Sequence, residues 1–521
     1  MASAAKNSLL ILHFNDVYNI DARDSEPVGG AARFQTKLKS FQDRNPLKFF
    51  CGDAFNPSVM STIYEGQQMV PVLNAFKING AVYGNHDFDF GVDDLLDFKK
   101  NSNYPWLMSN VFDNVTNNPL GDGEITLKID WDGHKIGLIG LVEKDWLDTL
   151  GAVDVDEVNY KDFVTVGKEL SKKLRDEGCD FIIALTHMRL ENDQKLAASV
   201  PGVDIVLGGH DHDYGIYDVN GKQVIKSGTD FRNLSEVEIT FSDGSFSVKT
   251  TRHDITSDIP EDPEVKAIVD KYQDKIEARM QIPLGKVAVD LDGLFANIRT
   301  KETNLGNLHA DIMRNATRSD ISIVNAGDLR WDAIKPAGVF RVEDLVSLLP
   351  FTPAPVVTLA ITGAQLLEAL ENGVSKWPQQ EGRFPQVSGI EFTFDPSKNA
   401  GQRVIAGTLK VEGEDVNLEK KYTLAVGAYI AGGGDGYDVL TQCEILVDEE
   451  CGPEERTIVR NHFIACSIIS GIRKVITGHR QNIAVVRRGE KRADKEKASG
   501  DYPIGTIAPQ VEGRIKIVGQ N

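Results

Sequence analysis

Five apolar runs in the first half of the chain each stop at a polar cluster. Leu9 to Leu12 lead into His13-Phe14-Asn15-Asp16, and LKFFC at 47–51 leads into Gly52-Asp53. Ala81-Val82-Tyr83 leads into Gly84-Asn85-His86-Asp87, FIIAL at 181–185 into Thr186-His187, and VDIVLG at 203–208 into Gly209-His210-Asp211-His212. Helical patterns lie between several of them, at 30–43, 67–77, 91–100, 160–177 and 192–199, and further strands are expected at 135–142 and 223–227. This alternation predicts a layered α/β domain with helices against a sheet. Ligands in such sheets gather beyond the carboxyl ends of the strands. The clusters should therefore bring Asp, Asn and His side chains to one edge, and carboxylate with imidazole is a metal-binding set. A lone Asp after a strand is ordinarily a cap, and a lone His is ordinarily exposed or satisfied. We keep that plain reading for His13, His134, His253, His309, His462 and His479. Ordered clusters on five strands ask for more.

The chain has 521 residues, too many for one hydrophobic core, so two large domains are expected. A formal charge of -20 argues against a DNA or RNA polymer as ligand, because polymer binding needs many Lys and Arg contacts to phosphate. A small phosphorylated substrate needs only a few local cations. The cysteines are Cys51, Cys179, Cys443, Cys451 and Cys466; an odd number without CxxC spacing fits reduced thiols in the cytosol. The apolar stretch near the N-terminus is too short for a signal-peptide core, no run is long enough to span a membrane, and GRIKIVGQN carries no anchor tail. The expected location is cytoplasmic, without membrane attachment; oligomeric state is not readable.

Residues 1–257 are expected to form the first domain, closing with a hairpin over 235–254 that turns on Asp243-Gly244. DIPEDP at 258–263 punctuates the chain, and a charged helical pattern follows over 263–280 with Pro at its start. We read 258–285 as a linker helix. The remainder, 286–521, mixes helices (305–316, 363–372) with strands (321–324, 355–361, 421–428) in an α+β manner. Residues 452–475 read as helix and 486–501 as a charged loop.

Two divalent ions a few ångströms apart need a shared carboxylate, and Asp53 is the natural bridge. Such ions lower the pKa of a shared water and clamp phosphoryl oxygens during in-line displacement. Imidazole with carboxylate suits Zn, Mn or Fe, with Mg less favoured.

The order of the clusters resembles the calcineurin-like metallophosphoesterase superfamily, whose pattern is DxH, GD, GNH(D/E), an isolated H, then GHxH. The resemblance implies one metal held by Asp16, Asp53 and His212. It implies a second held by Asp53, Asn85, His187 and His210. His86 matches the transition-state stabiliser. GNHDFDFG is closer still to the GNHEFDxG signature of the 5′-nucleotidase and UDP-sugar hydrolase family, where this histidine pairs with a carboxylate three residues on, here Asp89. An Asp on an imidazole favours its charged form, which suits a developing phosphorane.

The second half continues the resemblance to about residue 440. Arg299 lies in a stretch similar to RxxExxxGNLxxDA, NAGDLR at 325–330 resembles NGGGIR, and LPF at 349–351 and GGDGY at 433–437 match further signatures. In that family this domain binds the substrate. Arg299 and Arg330 would grip phosphate or polar groups, Asn325 would bond base or sugar, and Phe351 and Tyr437 would sandwich a nucleobase. Residues from about 445 to 521 fall outside the match. The implied activity is metal-dependent hydrolysis of a nucleoside 5′-monophosphate or similar small organophosphate. A sugar phosphatase, a nucleotide-sugar pyrophosphohydrolase and a nucleotide-binding pseudoenzyme are the alternatives.

The chain departs from the pattern in three places. Asp328 replaces a glycine near the expected phosphate pocket. His212 stands where the nucleotidases often have Gln. Tyr18 stands at the histidine of DxH, and it admits three readings: a phenolate ligand to Fe(III), a neutral phenol bonded to a metal-bound water, or a site weakened to one metal. A phenol of ordinary pKa near 10 is a poor ligand for Zn or Mn. We favour a first metal held by three protein groups, with water in place of the imidazole and His212 offsetting the loss.

Overall fold

The computed structural model of the chain describes residues 8–114, 116–150, 153, 155–242, 245–351, 353–471 and 506–519. The chain divides into two compact units, Met1–Glu277 and Ala278–Asn521.

The first unit contains two six-stranded sheets. In one, Ser8–Phe14, Leu47–Phe50, Gly80–Val82 and Trp106–Leu107 run parallel, with Phe14 level with Phe50 and Phe50 level with Ala81. The antiparallel strands Asn233–Ser242 and Ser245–Asp254 extend it on the Ser8–Phe14 side. In the other, His134–Val142, Phe181–Met188, Ile205–His210 and Lys222–Ser227 run parallel between the antiparallel edges Thr126–Trp131 and Tyr214–Val219.

Side chains alternate across each strand, and this sorts the apolar residues into layers. Leu9, Ile11, Phe49 and Val82 meet Leu138, Ile183, Leu185, Ile205 and Leu207 in a core between the sheets. The opposite face of the first sheet carries Phe14, whose ring contacts Phe34 of helix Ala31–Lys39 and Phe76 of helix Met69–Phe76. The opposite face of the second sheet, through Ile139, Leu141, Ile182 and Val206, meets Val166, Leu170 and Leu174 of helix Phe163–Asp176. Each central strand is thus buried on both faces, and for that reason it reads as an unbroken apolar run.

The expected strands and helices of this unit are present within a few residues. The edge strands Thr126–Trp131 and Tyr214–Val219 were not expected; in the first, Leu127, Ile129 and Trp131 pack on the core in alternation with Thr126, Lys128 and Asp130. The 263–280 pattern forms helix Pro263–Gln273 and a separate turn of helix at Ile276–Met280. Asp262 caps the first by accepting from the amides of Glu264 and Val265, with Pro263 at the opening position. The hairpin turn at 243–244, the charged stretch 486–501 and residues 472–475 of the expected 452–475 helix lie outside the described residues. The helix itself spans Glu455–Ile469.

The second unit is built on a mixed five-stranded sheet, in the order Pro385–Ser388, Ile321–Asn325, Lys421–Gly427, Val356–Thr362, Glu444–Val447. Ile321–Asn325 and Lys421–Gly427 are its parallel pair, so both end at the same edge. Helices Asn304–Ala316 and Gly363–Val374 lie against the sheet, each opened by a threonine cap, Thr303 and Thr362. Among the described residues no helix is long and apolar enough to cross a membrane.

Candidate active site

The parallel strands of the first unit deliver their polar clusters together. Asp16 and Asp53 follow two strands of the first sheet, and His187 and His210 end two strands of the second, with His187 level with Gly209. Asp16, Asp53 and His210 all have φ in the left-handed region, at 53°, 61° and 81°. Non-glycine residues adopt it at a cost, and such strain clusters at functional sites. Close approach needs glycine at two points. A Cβ on Gly84 would collide with the Asp53 carboxylate, and one on Gly209 with the Cys51 carbonyl.

One ligand atom from each of Asp53, His187 and His210 lies within 4.8 Å of the other two. His187 Nδ1 donates to the Cys51 carbonyl at 2.7 Å, while its Nε2 faces Asp53 Oδ2 at 3.1 Å. Asp53 Oδ1 accepts from the His86 amide at 2.8 Å, so the two oxygens of Asp53 are engaged separately. Asn85 is 1 % exposed, and neither polar atom of its side chain has a partner. Asp16 Oδ2 accepts from the His210 amide at 2.9 Å.

Among the described residues the ion pairs of Asp16 and Asp53 are with histidines, not with lysine or arginine. Burial pushes the Asp16 carboxyl up to about 7. For Asp53 burial acts the same way but is outweighed by His187 and His86, which hold it well below the usual range. His187 is raised to about 9, the Asp53 charge overcoming burial. His210 is lowered well below its ordinary value by burial and then by His187, so it remains a neutral imidazole. Two buried carboxylates, the neutral imidazole of His210 and the orphaned buried amide of Asn85 are a donor set that divalent cations fit.

Tyr18 enters this set directly. Its hydroxyl lies 3.0 Å from Asp16 Oδ1, 3.4 Å from Asp53 Oδ2 and 2.8 Å from His212 Nε2. It thus touches each of the three groups that the motif pattern assigns to the first metal.

Beside them, His86 Nδ1 donates to Asp89 Oδ2 at 2.9 Å, and Asn56 donates to the same oxygen. Burial alone would lower the His86 pKa; the carboxylates of Asp89 and Asp53 outweigh it and hold it at about 10. The imidazole is therefore a cation at neutral pH, with Nε2–H left to donate.

Three further residues support the site: Asp87 closes the GNHD cluster, while Lys226 and Glu143 belong to no motif. Asp87 accepts from the amides of Asp53, Gly84 and Ala54 at 2.8–3.0 Å, tying two strand-end loops together. Lys226 is 1 % exposed, pairs with Asp193 and Asp211, and donates to the carbonyls of Met188 and Gly209, so it anchors the loop that carries His210 and His212. Burial opposes its charge, but the two carboxylates outweigh burial and raise its pKa. Glu143 Oε1 lies 3.7 Å from His210 Nε2. Asp87 was signalled by its place in the GNHD cluster and Glu143 by its position directly after the 134–142 strand; Lys226 carried no signal.

The second unit holds a cavity of about 520 Å³ lined by Arg299, Asn325, Arg330 and Phe351, four of the expected substrate residues. The Arg330 guanidinium carbon lies 5.5 Å from the Phe351 ring centre, and Arg299 lies over Phe295 at 3.8 Å. Tyr437 is a correction. Its ring is fully buried, and its hydroxyl donates to the Arg383 carbonyl at 2.7 Å. Left-handed φ at Gly433, Asp435 and Gly436 turns the chain so that Asp435 meets the cavity and the next aromatic points inward. The aromatic that lines the cavity with Phe351 is Tyr429, 59 % exposed where Phe351 is 50 %. Its sequence signal was available: it follows the end of strand Lys421–Gly427, as the metal-site residues follow theirs.

Two family models match the chain: calcineurin-like phosphoesterase over residues 9–214, and the 5′-nucleotidase C-terminal domain over 283–442. A snake venom 5′-nucleotidase from Naja atra is 30 % identical over 489 residues, covering 83 % of this chain and 91 % of that protein. A 5′-nucleotidase from Bos taurus is 28 % identical, covering 88 % and 89 %. The crystal structure of a 5′-nucleotidase precursor from Thermus thermophilus matches with a TM-score of 0.52 at 26 % identity, over 99 % of this chain and 100 % of that one. The NAD nucleotidase of Haemophilus influenzae shares the fold, with a TM-score of 0.77 at 20 % identity over 98 % and 99 %. The first unit is accordingly a metallophosphoesterase, a class of enzyme that uses divalent metals. The whole chain belongs to the 5′-nucleotidase family and is a phosphoric monoester hydrolase.

Proposed function

We propose that this enzyme removes phosphate from a nucleoside 5′-monophosphate or a similar small organophosphate. The carrying observation is the cavity of the second unit, which places two half-exposed aromatic rings and two guanidinium groups in one lining. Aromatic faces take a flat ring and guanidinium takes phosphate, a combination a simple sugar phosphate would not use fully. The names of the Naja atra and Bos taurus relatives support the same substrate class.

The proposed first metal is held by Asp16, Asp53 and His212, and the second by Asp53, Asn85, His187 and His210, with Zn, Mn or Fe preferred to Mg. When bound, such ions supply Lewis acidity to phosphoryl oxygens and acidify a water. The chain's own residues do the rest. The Cys51 carbonyl fixes the His187 ring so that Nε2 faces Asp53. Asp89 keeps His86 charged and oriented, and His86 Nε2–H donates to a phosphoryl oxygen as its charge grows. We read 258–285 as the linker, a span that contains the division at residue 277. We place the protein in the cytosol, supported by its five cysteines all being buried and outside any disulfide.

A hydrolysis panel tests the reading, scored by inorganic phosphate for the monoesters and by UMP and glucose 1-phosphate for UDP-glucose, whose pyrophosphate cleavage frees no inorganic phosphate. Nucleoside monophosphates, sugar phosphates, UDP-glucose and an aryl phosphate are supplied with Mn, Zn, Fe or Mg in turn. Nucleoside monophosphates should lead in kcat/KM by about tenfold or more. A lead by sugar phosphates or UDP-glucose would replace the substrate assignment.

A further inference from the structure

The matched 5′-nucleotidase C-terminal domain ends at residue 442, yet residues 506–519 return to the second unit. Strand Ile515–Ile517 runs parallel beside strand Ile390–Phe394, with Ile515 level with Phe392. Arg514, 9 % exposed, forks onto Asp311 of helix Asn304–Ala316 at 2.8 and 2.9 Å and donates to the Val387 carbonyl at 2.8 Å. A planar guanidinium on a carboxylate fixes direction as well as distance.

The same segment meets the stretch that begins at Arg299. Buried Glu302 accepts the Glu512 amide on Oε1 at 2.7 Å and the Ile515 amide on Oε2 at 3.2 Å. Asn307 donates to Glu302 Oε1 at 2.6 Å and to the Gln510 carbonyl at 2.9 Å. The Glu, Asn and Asp of the RxxExxxGNLxxDA-like stretch, Glu302, Asn307 and Asp311, thus all bind a segment outside the matched domain. From the other side, wholly buried Gln386 donates to the carbonyls of Ile298 and Lys301 at 2.8 Å and accepts from the Thr303 amide at 3.2 Å. Gln386 adjoins Val387, which Arg514 holds. Hydrogen bonds therefore close a circuit around the backbone of 298–303. Arg299 projects from that backbone into the cavity lining, with its Nε buried and without a partner.

We propose that residues 506–519 belong to the substrate-binding apparatus, with Glu302 and Arg514 as positioning residues that hold Arg299 at the cavity. The inference rests on the substrate role given to Arg299 above. An arginine side chain is long and flexible, and ordering it opposes binding unless its backbone end is already fixed. Here the fixing comes from a buried carboxylate that accepts two backbone amides and from a guanidinium fork. Neither Glu302 nor Arg514 lines the cavity, so each acts on substrate only through the 298–303 backbone.

The test is a double-mutant cycle on the full chain, read through KM for AMP at saturating Mn. KM does not depend on how much of a preparation is folded, so a merely destabilised variant leaves it unchanged. Arg299→Ala should raise KM by about tenfold or more. Glu302→Gln should raise it by about tenfold, because its amide nitrogen sets donor against the Glu512 or Ile515 amide. Arg514→Lys should raise it by about threefold, because lysine keeps the charge and loses the fork. In the Arg299→Ala background each should change KM by less than about 1.5-fold. Rises that multiply in full in that background, or an unchanged KM in both single variants, overturn the inference and leave the role of Arg299 in place. Arg514→Lys alone completes the cycle if Glu302→Gln does not fold. An unchanged KM in Arg299→Ala breaks the substrate role of Arg299 and takes the inference with it. If AMP is not turned over, the nucleotide reading fails, and the same cycle on the leading monoester of the panel decides the inference.

Discussion

The centre of the first unit and the cavity of the second are assembled in opposite ways. At the centre, side chains come from the ends of parallel strands, are almost wholly buried apart from His212, and are held by backbone amides and carbonyls. Around the cavity, they come from loops, helix starts and a segment beyond the matched domain, and the two aromatic rings are half exposed. A sheet edge has little freedom to vary, whereas loops do. The difference suits a division of labour in which the first unit sets turnover and the second sets what is bound.

The sharpest way to break that division is Asp53→Asn. An amide in place of the carboxylate at the middle of the centre should reduce activity by about three orders of magnitude with the fold intact. Activity within about tenfold of wild type at saturating metal would remove Asp53 from its shared role. Next, His86→Ala should lower kcat by about 10²–10³ and leave metal content unchanged. A lost metal equivalent by elemental analysis would make His86 a ligand. On the other side, Tyr429→Ala should raise KM for a nucleoside monophosphate by about tenfold or more, with kcat much less affected, as loss of base stacking does. A fall in kcat alone would contradict the split between the units. The smallest expected effect is at Tyr18. Tyr18→His restores the DxH pattern and should lower the Zn or Mn concentration for half-maximal activity by roughly tenfold. Metal-binding isotherms that coincide for wild type and variant would place Tyr18 outside the ligand set, and a visible charge-transfer band in the iron-loaded wild type would make it a phenolate ligand.

What could be read from the sequence follows the same contrast. Asp16, Asp53, Asn85, His187 and His210 were legible because each ends an apolar run, and a doubly buried strand announces its own end. Lys226 was not, because it acts on backbone carbonyls far away in the chain and nothing local marks such a side chain; Asp87 stood in the GNHD cluster, but its bonds to the Asp53 and Ala54 amides are not stated by that cluster. Tyr437 was misread for a different reason. The GGDG turn was recognised, but which way the following ring points depends on three left-handed dihedrals that the residue names do not state. Tyr429, two residues past a strand, obeyed the rule that had worked in the first unit. The break between helices Pro263–Gln273 and Ile276–Met280 was hidden because the intervening Asp274-Lys275 carries no Gly or Pro.

Asp53 offers one oxygen to the His86 amide and turns the other toward His187 and Tyr18. Under the two-metal reading proposed above, a carboxylate shared in this way would not treat two ions as separate guests. An ion on one side draws electron density from the group that must also serve the other side. By thermodynamic linkage, the influence of the first ion on the second equals that of the second on the first. If the proposed pair of ions binds, metal titration would report a coupling energy as well as two affinities, and the half-loaded protein would be a distinct species rather than an average of empty and full.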